Sequence, residues 1–218
     1  TWRQVVWTSS ARNYYEEGNK FMSPSQDVRI EPEDQGISYF EFPLLPWLMG
    51  MSYHITGFSH ANTRIVMMLM GILLIFGSYH FMKGLGGSES RARWFAFFLS
   101  FSPYFFYYFI TVSPNLPALT WFLWGIALIA PRLDSSKWDW KFWLGMGFIS
   151  LATLSKATYM FMGLPVAFLF LWRLKEGIEL KTLMVMFLSL LIVIVPNFLI
   201  YMYSRELYEL APFERQRG

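Results

Sequence analysis

The sequence predicts an all-α fold: a polytopic bundle of transmembrane helices, with an extracytoplasmic first loop that contains short interfacial helices. Three observations predict it. Apolar residues make up 55% of the 218-residue chain and charged residues only 15%, against about a quarter charged in an ordinary soluble domain. The apolar residues gather into runs of roughly 16–22, close to the length a helix needs to cross about 30 Å of hydrocarbon. Basic residues then fall in alternate short loops between those runs, the pattern that orients helices in a membrane. The chain has no cysteine, which excludes disulfides and thiol chemistry. The net charge of +3 says little by itself, and no nucleic-acid partner is expected.

The elements follow in order. Residues 1–41 are polar and mixed. Thr8, Ser9 or Ser10 is placed to cap a short helix running through Tyr15, because a side-chain oxygen there accepts a free backbone N–H. Gly18 is placed to end it. The stretch 22–36 holds Pro24, Pro32, Gly36 and the acids Asp27, Glu31, Glu33 and Asp34, which is loop chemistry. Residues 42–57 are apolar but short, with Pro43 and Pro46 near their start and His54 within. They read as a surface-lying helix or a short span.

Six spans are expected after that: Asn62–Met82, Trp94–Thr111, Asn115–Ala130, Trp140–Ser155, Ala157–Trp172 and Thr182–Tyr203. Only Ser155 and Lys156 mark the boundary between the fourth and fifth, so a tight helical hairpin is expected there. The chain divides into an outer loop over 1–61, a bundle over 62–203 and the start of another outer loop over 204–218. Lys83, Arg91 and Arg93 follow the first span, Arg132, Lys137 and Lys141 the third, and Arg173, Lys175 and Lys181 the fifth. Those loops are expected to be cytoplasmic, and residues 1–61, 112–114, Lys156 and the tail extracytoplasmic. The Trp and Tyr residues near span ends read as interfacial belts, and the basic loops as contacts for anionic lipid.

Several sequence stretches carry a resemblance. They are Trp2-Arg3-Gln4, then Ala11-Arg12-Asn13-Tyr14-Tyr15-Glu16-Glu17-Gly18, then Phe21 to Pro24, then Phe40-Glu41-Phe42-Pro43-Leu44. Together they resemble the first outer loop of GT-C-type glycosyltransferases, in the branch of the bacterial relatives of protein O-mannosyltransferases and the aminoarabinose transferase of lipid A. Ser113-Pro114-Asn115-Leu116-Pro117-Ala118-Leu119 and Leu151-Ala152-Thr153-Leu154-Ser155-Lys156 are similar to that family in place and order. The resemblance implies a span upstream of Thr1, and further spans and an outer domain downstream of Gly218. It implies an integral protein of a bacterial inner (plasma) membrane. Its partners would be membrane lipids, a polyprenyl-phosphate sugar as donor, and a lipid, glycan or protein acceptor. An acid of the first outer loop would act as general base on the acceptor hydroxyl. The lipid phosphate would leave with help from cations or a divalent metal, the one cofactor expected.

The chain departs from the family pattern at two places. Val6 stands where relatives carry Asp two residues after the Arg-Gln pair, and Asn115 where many have an acid after Pro. Valine cannot take a proton. Glu16, Glu17 and Glu41 are the available substitutes; Glu41 is best placed by motif and is the candidate metal ligand, with Glu16 the second catalytic candidate. Arg3 and Arg12 either hold the lipid phosphate through paired hydrogen bonds or bridge to the loop's own acids. Gln4, Asn13 and Tyr14 join them as candidate donor-binding residues, Tyr14 or Tyr15 by stacking on sugar. Asn115 is either a polar group facing the cavity or a helix N-cap. Lys156, between two apolar runs, either contacts phosphate or snorkels to the interface. His54, His60 and His80 lack metal-ligand spacing. The rival to a transferase is a catalytically inactive relative that binds lipid-linked sugar or scaffolds a partner. A transporter is a third class, weakened by the scarcity of intramembrane charge and of paired Gly/Pro-broken helices.

Overall fold

The computed structural model describes residues 2–27, 42–135, 137–174 and 180–210. Among them every regular element is helical and there is no strand, in agreement with the all-α expectation. α1 runs over Trp2–Glu16, α2 over Leu44–Thr56, α3 over His60–Gly84, α4 over Glu89–Ser100 and α5 over Pro103–Ile110. α6 spans Asn115–Ser135, α7 Trp140–Ser155, α8 Gly163–Leu174 and α9 Leu180–Leu210. A 3-10 turn over Ala157–Met162 joins α7 to α8. Among the described residues, three helical stretches are long and apolar enough to cross a membrane: His60–Gly84, Asn115–Leu133 and Leu180–Glu206.

α3, α6 and α7 form the centre. α6 packs against both of the others, and its residues Thr120, Ile126 and Ile129 are essentially inaccessible. In lipid, the burial of apolar surface gives little drive for helices to meet, so small residues and interhelical hydrogen bonds matter more. Both are present. A Cβ on Gly125 of α6 would lie 3.0 Å from the Gly145 carbonyl oxygen of α7, and one on Gly145 would lie 3.0 Å from the Gly125 oxygen. The two backbones touch because neither residue carries a side chain. Across α3–α6, Thr120 Oγ1 donates to the Met70 carbonyl at 3.2 Å and Trp124 Nε1 to the Leu73 carbonyl at 3.0 Å. α9 joins the bundle through α7. There Asn197 Nδ2 donates to Thr153 Oγ1 at 2.8 Å and to the Val193 carbonyl at 2.7 Å, one position after the helix-interior Pro196.

The structure redraws several expected elements. The stretch 94–111 is not one helix. α4 stops at Ser100, Ser102 is extended, and Pro103 opens α5. A residue before proline is driven out of the helical region by the ring, so the break is local in origin. The fifth apolar run starts as a 3-10 turn and becomes α-helical only at Gly163. The chain turns back between α7 and α8, with Phe142 near the start of α7 and Phe170 near the end of α8 at 6.2 Å between ring centroids, but not as the tight hairpin expected, since α8 packs closely on α6 and the 3-10 turn. α1 begins already at Trp2, so Thr8 and Ser9 lie inside it and Ser10 is not its cap. Thr8 Oγ1 donates to the Gln4 carbonyl at 2.6 Å and Ser9 Oγ to the Val6 carbonyl at 3.0 Å, the back-bonding that these side chains adopt within a helix. Gly18, with φ of +63°, follows the helix end as expected.

α1 and α2 lie together at the end of the bundle where α3 and α6 begin. Their crossing is close: a Cβ on Gly50 of α2 would sit 2.7 Å from Tyr14 Cβ and 2.9 Å from the Ala11 carbonyl oxygen. Trp7, Ala11 and Tyr14 form the buried face of α1. At the opposite end of the bundle, α4 is capped by Ser88, whose oxygen accepts from the Arg91 N–H. The Arg93 guanidinium, 2.8 Å from Glu89, holds that carboxyl below the usual glutamate range by hydrogen bonding and charge.

Candidate functional site

One cleft of about 390 Å³ opens between α1 and the start of α3, within the size range of small-ligand sites. Gln4, Val5, Thr8, Ser9 and Arg12 line it from α1. Their spacing of four and one puts them on one helical stripe, opposite the residues packed on α2. Phe58, His60, Thr63 and Arg64 line the facing wall, Ile110 and Val112 one rim, and Asp27 contributes a carboxylate.

Local structure fixes the α3 wall. Ser59 is the N-cap, its oxygen accepting from the Asn62 N–H at 3.1 Å. The Asn62 amide ties the turn from α2 by donating to the Thr56 and Gly57 carbonyls at 2.9 and 2.7 Å. Thr63 is buried and shares a 2.5 Å hydrogen bond with Tyr53 of α2. Phe58 is the meeting point. Its ring is 5.3 Å from Tyr53 and 6.0 Å from His60 between centroids, and the Arg12 guanidinium lies 6.0 Å from its centre.

Two residues expected for donor binding, Gln4 and Arg12, line the cleft. Arg12 bridges to the loop's own acids there: 2.7 Å to Asp27 and 3.4 Å to Glu16. Glu16 sits on the exposed end of α1, outside the cleft lining. Asn13 and Tyr14 point elsewhere. The Asn13 amide is buried and donates to Ser25 Oγ at 3.1 Å, and the Tyr14 hydroxyl donates to the Phe21 carbonyl at 2.6 Å. Both hold the segment after α1 against the helix. Arg3 lies in α1, and its side chain is outside the described residues, as is all of Glu41. Val6 is half-buried and off the cleft stripe, whereas its neighbour Val5 is on it and 60% exposed.

A second polar pair forms nearby. Lys156 follows the end of α7 in an extended conformation, and its Nζ donates to Asn115 Oδ1 at the start of α6. Tyr159 Oη reaches the Asn115 carbonyl at 3.4 Å. The Asn115 side chain therefore serves Lys156, and does not cap α6. It also borders a narrow apolar crevice with Leu99, Tyr104 and Tyr108.

Sequence reasoning missed Arg64, His60 as a cleft residue, and Asp27 as an acid of the cleft. His60 and Arg64 are one helical turn apart at the start of α3, a spacing readable in the sequence. Only the fold shows that α1 lies across them. Asp27 stood among four acids of a loop with nothing to single it out. For a metal, no group of three His, Cys, Asp or Glu side chains comes together among the described residues. The expected ligand Glu41 lies outside them.

Comparison with known proteins gives a family. The model of the dolichyl-phosphate-mannose-protein mannosyltransferase family matches residues 41–208, from the segment before α2 to near the end of α9. No curated protein and no solved structure matches the chain. The match takes in most of the chain, including the three described helices that are long and apolar enough to cross a membrane, while α1 and the acids before residue 41 precede it. By that match the chain belongs to the dolichyl-phosphate-mannose-protein mannosyltransferase family, the membrane glycosyltransferases of GT-C type.

Proposed function

We propose that this chain moves a sugar from a polyprenyl-phosphate donor to a hydroxyl of a lipid, glycan or protein acceptor at the extracytoplasmic face of a bacterial inner membrane. The observation that carries the reading is the cleft. It lies at the end of a family-matched helix bundle and combines cationic, amide and carboxylate side chains with an apolar rim. The acceptor oxygen bonds to the sugar's anomeric carbon, its proton passes to a carboxylate, and the bond from that carbon to the lipid phosphate breaks. Asp27 is the described acid in the cleft, and Glu41 the acid the family motif supplies.

The test uses the full-length protein and a panel of polyprenyl-phosphate sugars. Transfer by the native chain is expected. Asp27→Asn or Glu41→Gln should lower kcat by about a hundredfold or more, the lower end of what a positioned base contributes. Native rates in both variants would remove both acids from the mechanism.

Val6 favours a second reading, a relative that binds lipid-linked sugar without transferring it. Donor binding with no turnover in the native chain would establish that reading in place of the first.

A further inference from the structure

We propose that Arg64 and His60 form the anion-binding wall of the cleft and hold the phosphate of a phosphate ester, with Arg12 serving to neutralise Asp27. The proposal deepens the reading above and rests on it for the identity of the ester. The sequence left Arg12 open between holding the phosphate and bridging to the loop's own acids. The structure gives that guanidinium two carboxylates, Asp27 at 2.7 Å and Glu16 at 3.4 Å. An arginine so engaged has little charge left for a ligand.

Arg64 differs. Its guanidinium has no hydrogen-bond or ion-pair partner among the described residues, yet it lines the same cleft. Both carboxylates near the cleft, Asp27 and Glu16, are engaged by Arg12, which leaves Arg64 as the guanidinium of the lining with its donors open to a ligand. His60 lies one turn before it, about 5–6 Å away between Cβ atoms, and adds ring N–H donors. Both project from the first turns of the 25-residue α3, whose positive end also favours an anion. The wall is preorganised, because Ser59, Asn62 and Thr63 each hold it in place by hydrogen bonds. A planar guanidinium beside an imidazole matches the oxygens of a phosphate better than it matches a neutral sugar.

The rim indicates what the phosphate carries. Ile110 and Val112 border the cleft, and α5 leads away from it with Phe106, Tyr107 and Ile110 exposed. An apolar chain esterified to the phosphate has a continuous apolar path from the cleft.

The experiment titrates full-length protein in detergent with farnesyl phosphate, farnesol and inorganic phosphate, read by intrinsic tryptophan fluorescence. Native protein is expected to bind farnesyl phosphate at least tenfold more tightly than farnesol. Arg64→Gln should erase that preference, Arg64→Lys should keep part of it, and His60→Gln should reduce it severalfold. Competition by inorganic phosphate at similar concentration would assign the site to the free anion, and weak competition to the lipid ester; both support the phosphate wall. Unchanged farnesyl phosphate affinity in Arg64→Gln overturns it, as does an affinity loss in Arg12→Gln alone. The two readings separate cleanly. Sugar transfer by the native chain with kinetics untouched by Arg64→Gln overturns the wall and leaves the function. Phosphate binding through Arg64 in a chain that transfers no sugar does the reverse.

Discussion

At the scale of single residues, the register of α1 decides which substitutions matter. Val5 faces the cleft and Val6 lies off that stripe, although the family pattern places the acid at Val6. Val5→Asp should put a carboxylate into the cleft, lowering farnesyl phosphate affinity by placing a like charge near the anion. Val6→Asp should change that affinity less. Equal effects of the two would contradict the helical register. Asn115→Asp tests the second polar pair. It converts the Lys156 contact to a charge-assisted bond, so thermal unfolding in detergent should shift upward by a few degrees; a fall would mean that Lys156 is needed for another partner. The residue scale is also where the sequence was least legible. Lys156 and Asn115 stand 41 positions apart, and nothing local says that they meet. Asn13 and Tyr14 sit in a family-like motif, yet burial turns both toward the packing of α1. A motif names residue types, while the helix face decides which of them see a ligand.

Elements were more legible, because apolar length and turn residues act locally. Gly18 ends α1, and Gly57 follows α2 with φ of +74°. The helix break at Ser102–Pro103 was written in the dipeptide, but the aromatic run around it, uninterrupted by charge, reads as one span. Hydropathy averages over a kink that backbone sterics impose. The close crossings give the sharpest element-scale prediction. Gly50→Ala would drive a Cβ into Tyr14 Cβ and the Ala11 carbonyl, and Gly125→Ala would meet Ile149 Cδ1 at 2.7 Å and the Gly145 carbonyl at 3.0 Å. Overpacking of this kind costs about 1–3 kcal/mol. Both variants should lower the Tm in detergent. Gly50→Ala should in addition weaken cleft binding, because it shifts α1, whereas Gly125→Ala should leave the cleft's ligand affinity near native in the protein that remains folded. By contrast Gly147, with open space around its Cβ position, should accept alanine without loss.

Across the whole molecule, the two ends of the bundle differ in character. α1, α2 and the cleft occupy the end where α3 and α6 begin; Lys83, Arg91, Arg93 and Arg132 occupy the other. By the positive-inside bias, the orientation we propose puts the cleft outside the cytoplasm. The chain has no cysteine, so single cysteines can report this directly. Lys20→Cys should react with a membrane-impermeant maleimide on intact cells, and Ser90→Cys only after permeabilisation. The reverse labelling would invert the orientation and exclude an extracytoplasmic reaction. Fold class was readable at this scale because composition integrates over the whole chain. The way that α1 lies over the start of α3 was not, since it depends on side-chain fit between segments far apart in sequence.

The position of Phe58 has a practical consequence. Its ring lies beside Tyr53 of α2, His60 of α3 and the Arg12 guanidinium of α1, and it lines the cleft with more than a third of its surface exposed. Ring currents and a moving positive charge both act on whatever nucleus sits there. A fluorine atom introduced at Phe58 would therefore give a resonance sensitive to the arrival of an anion on one side and to the departure of Arg12 on the other. One spectroscopic line would then follow cleft occupancy in the intact protein, without any label on the lipid.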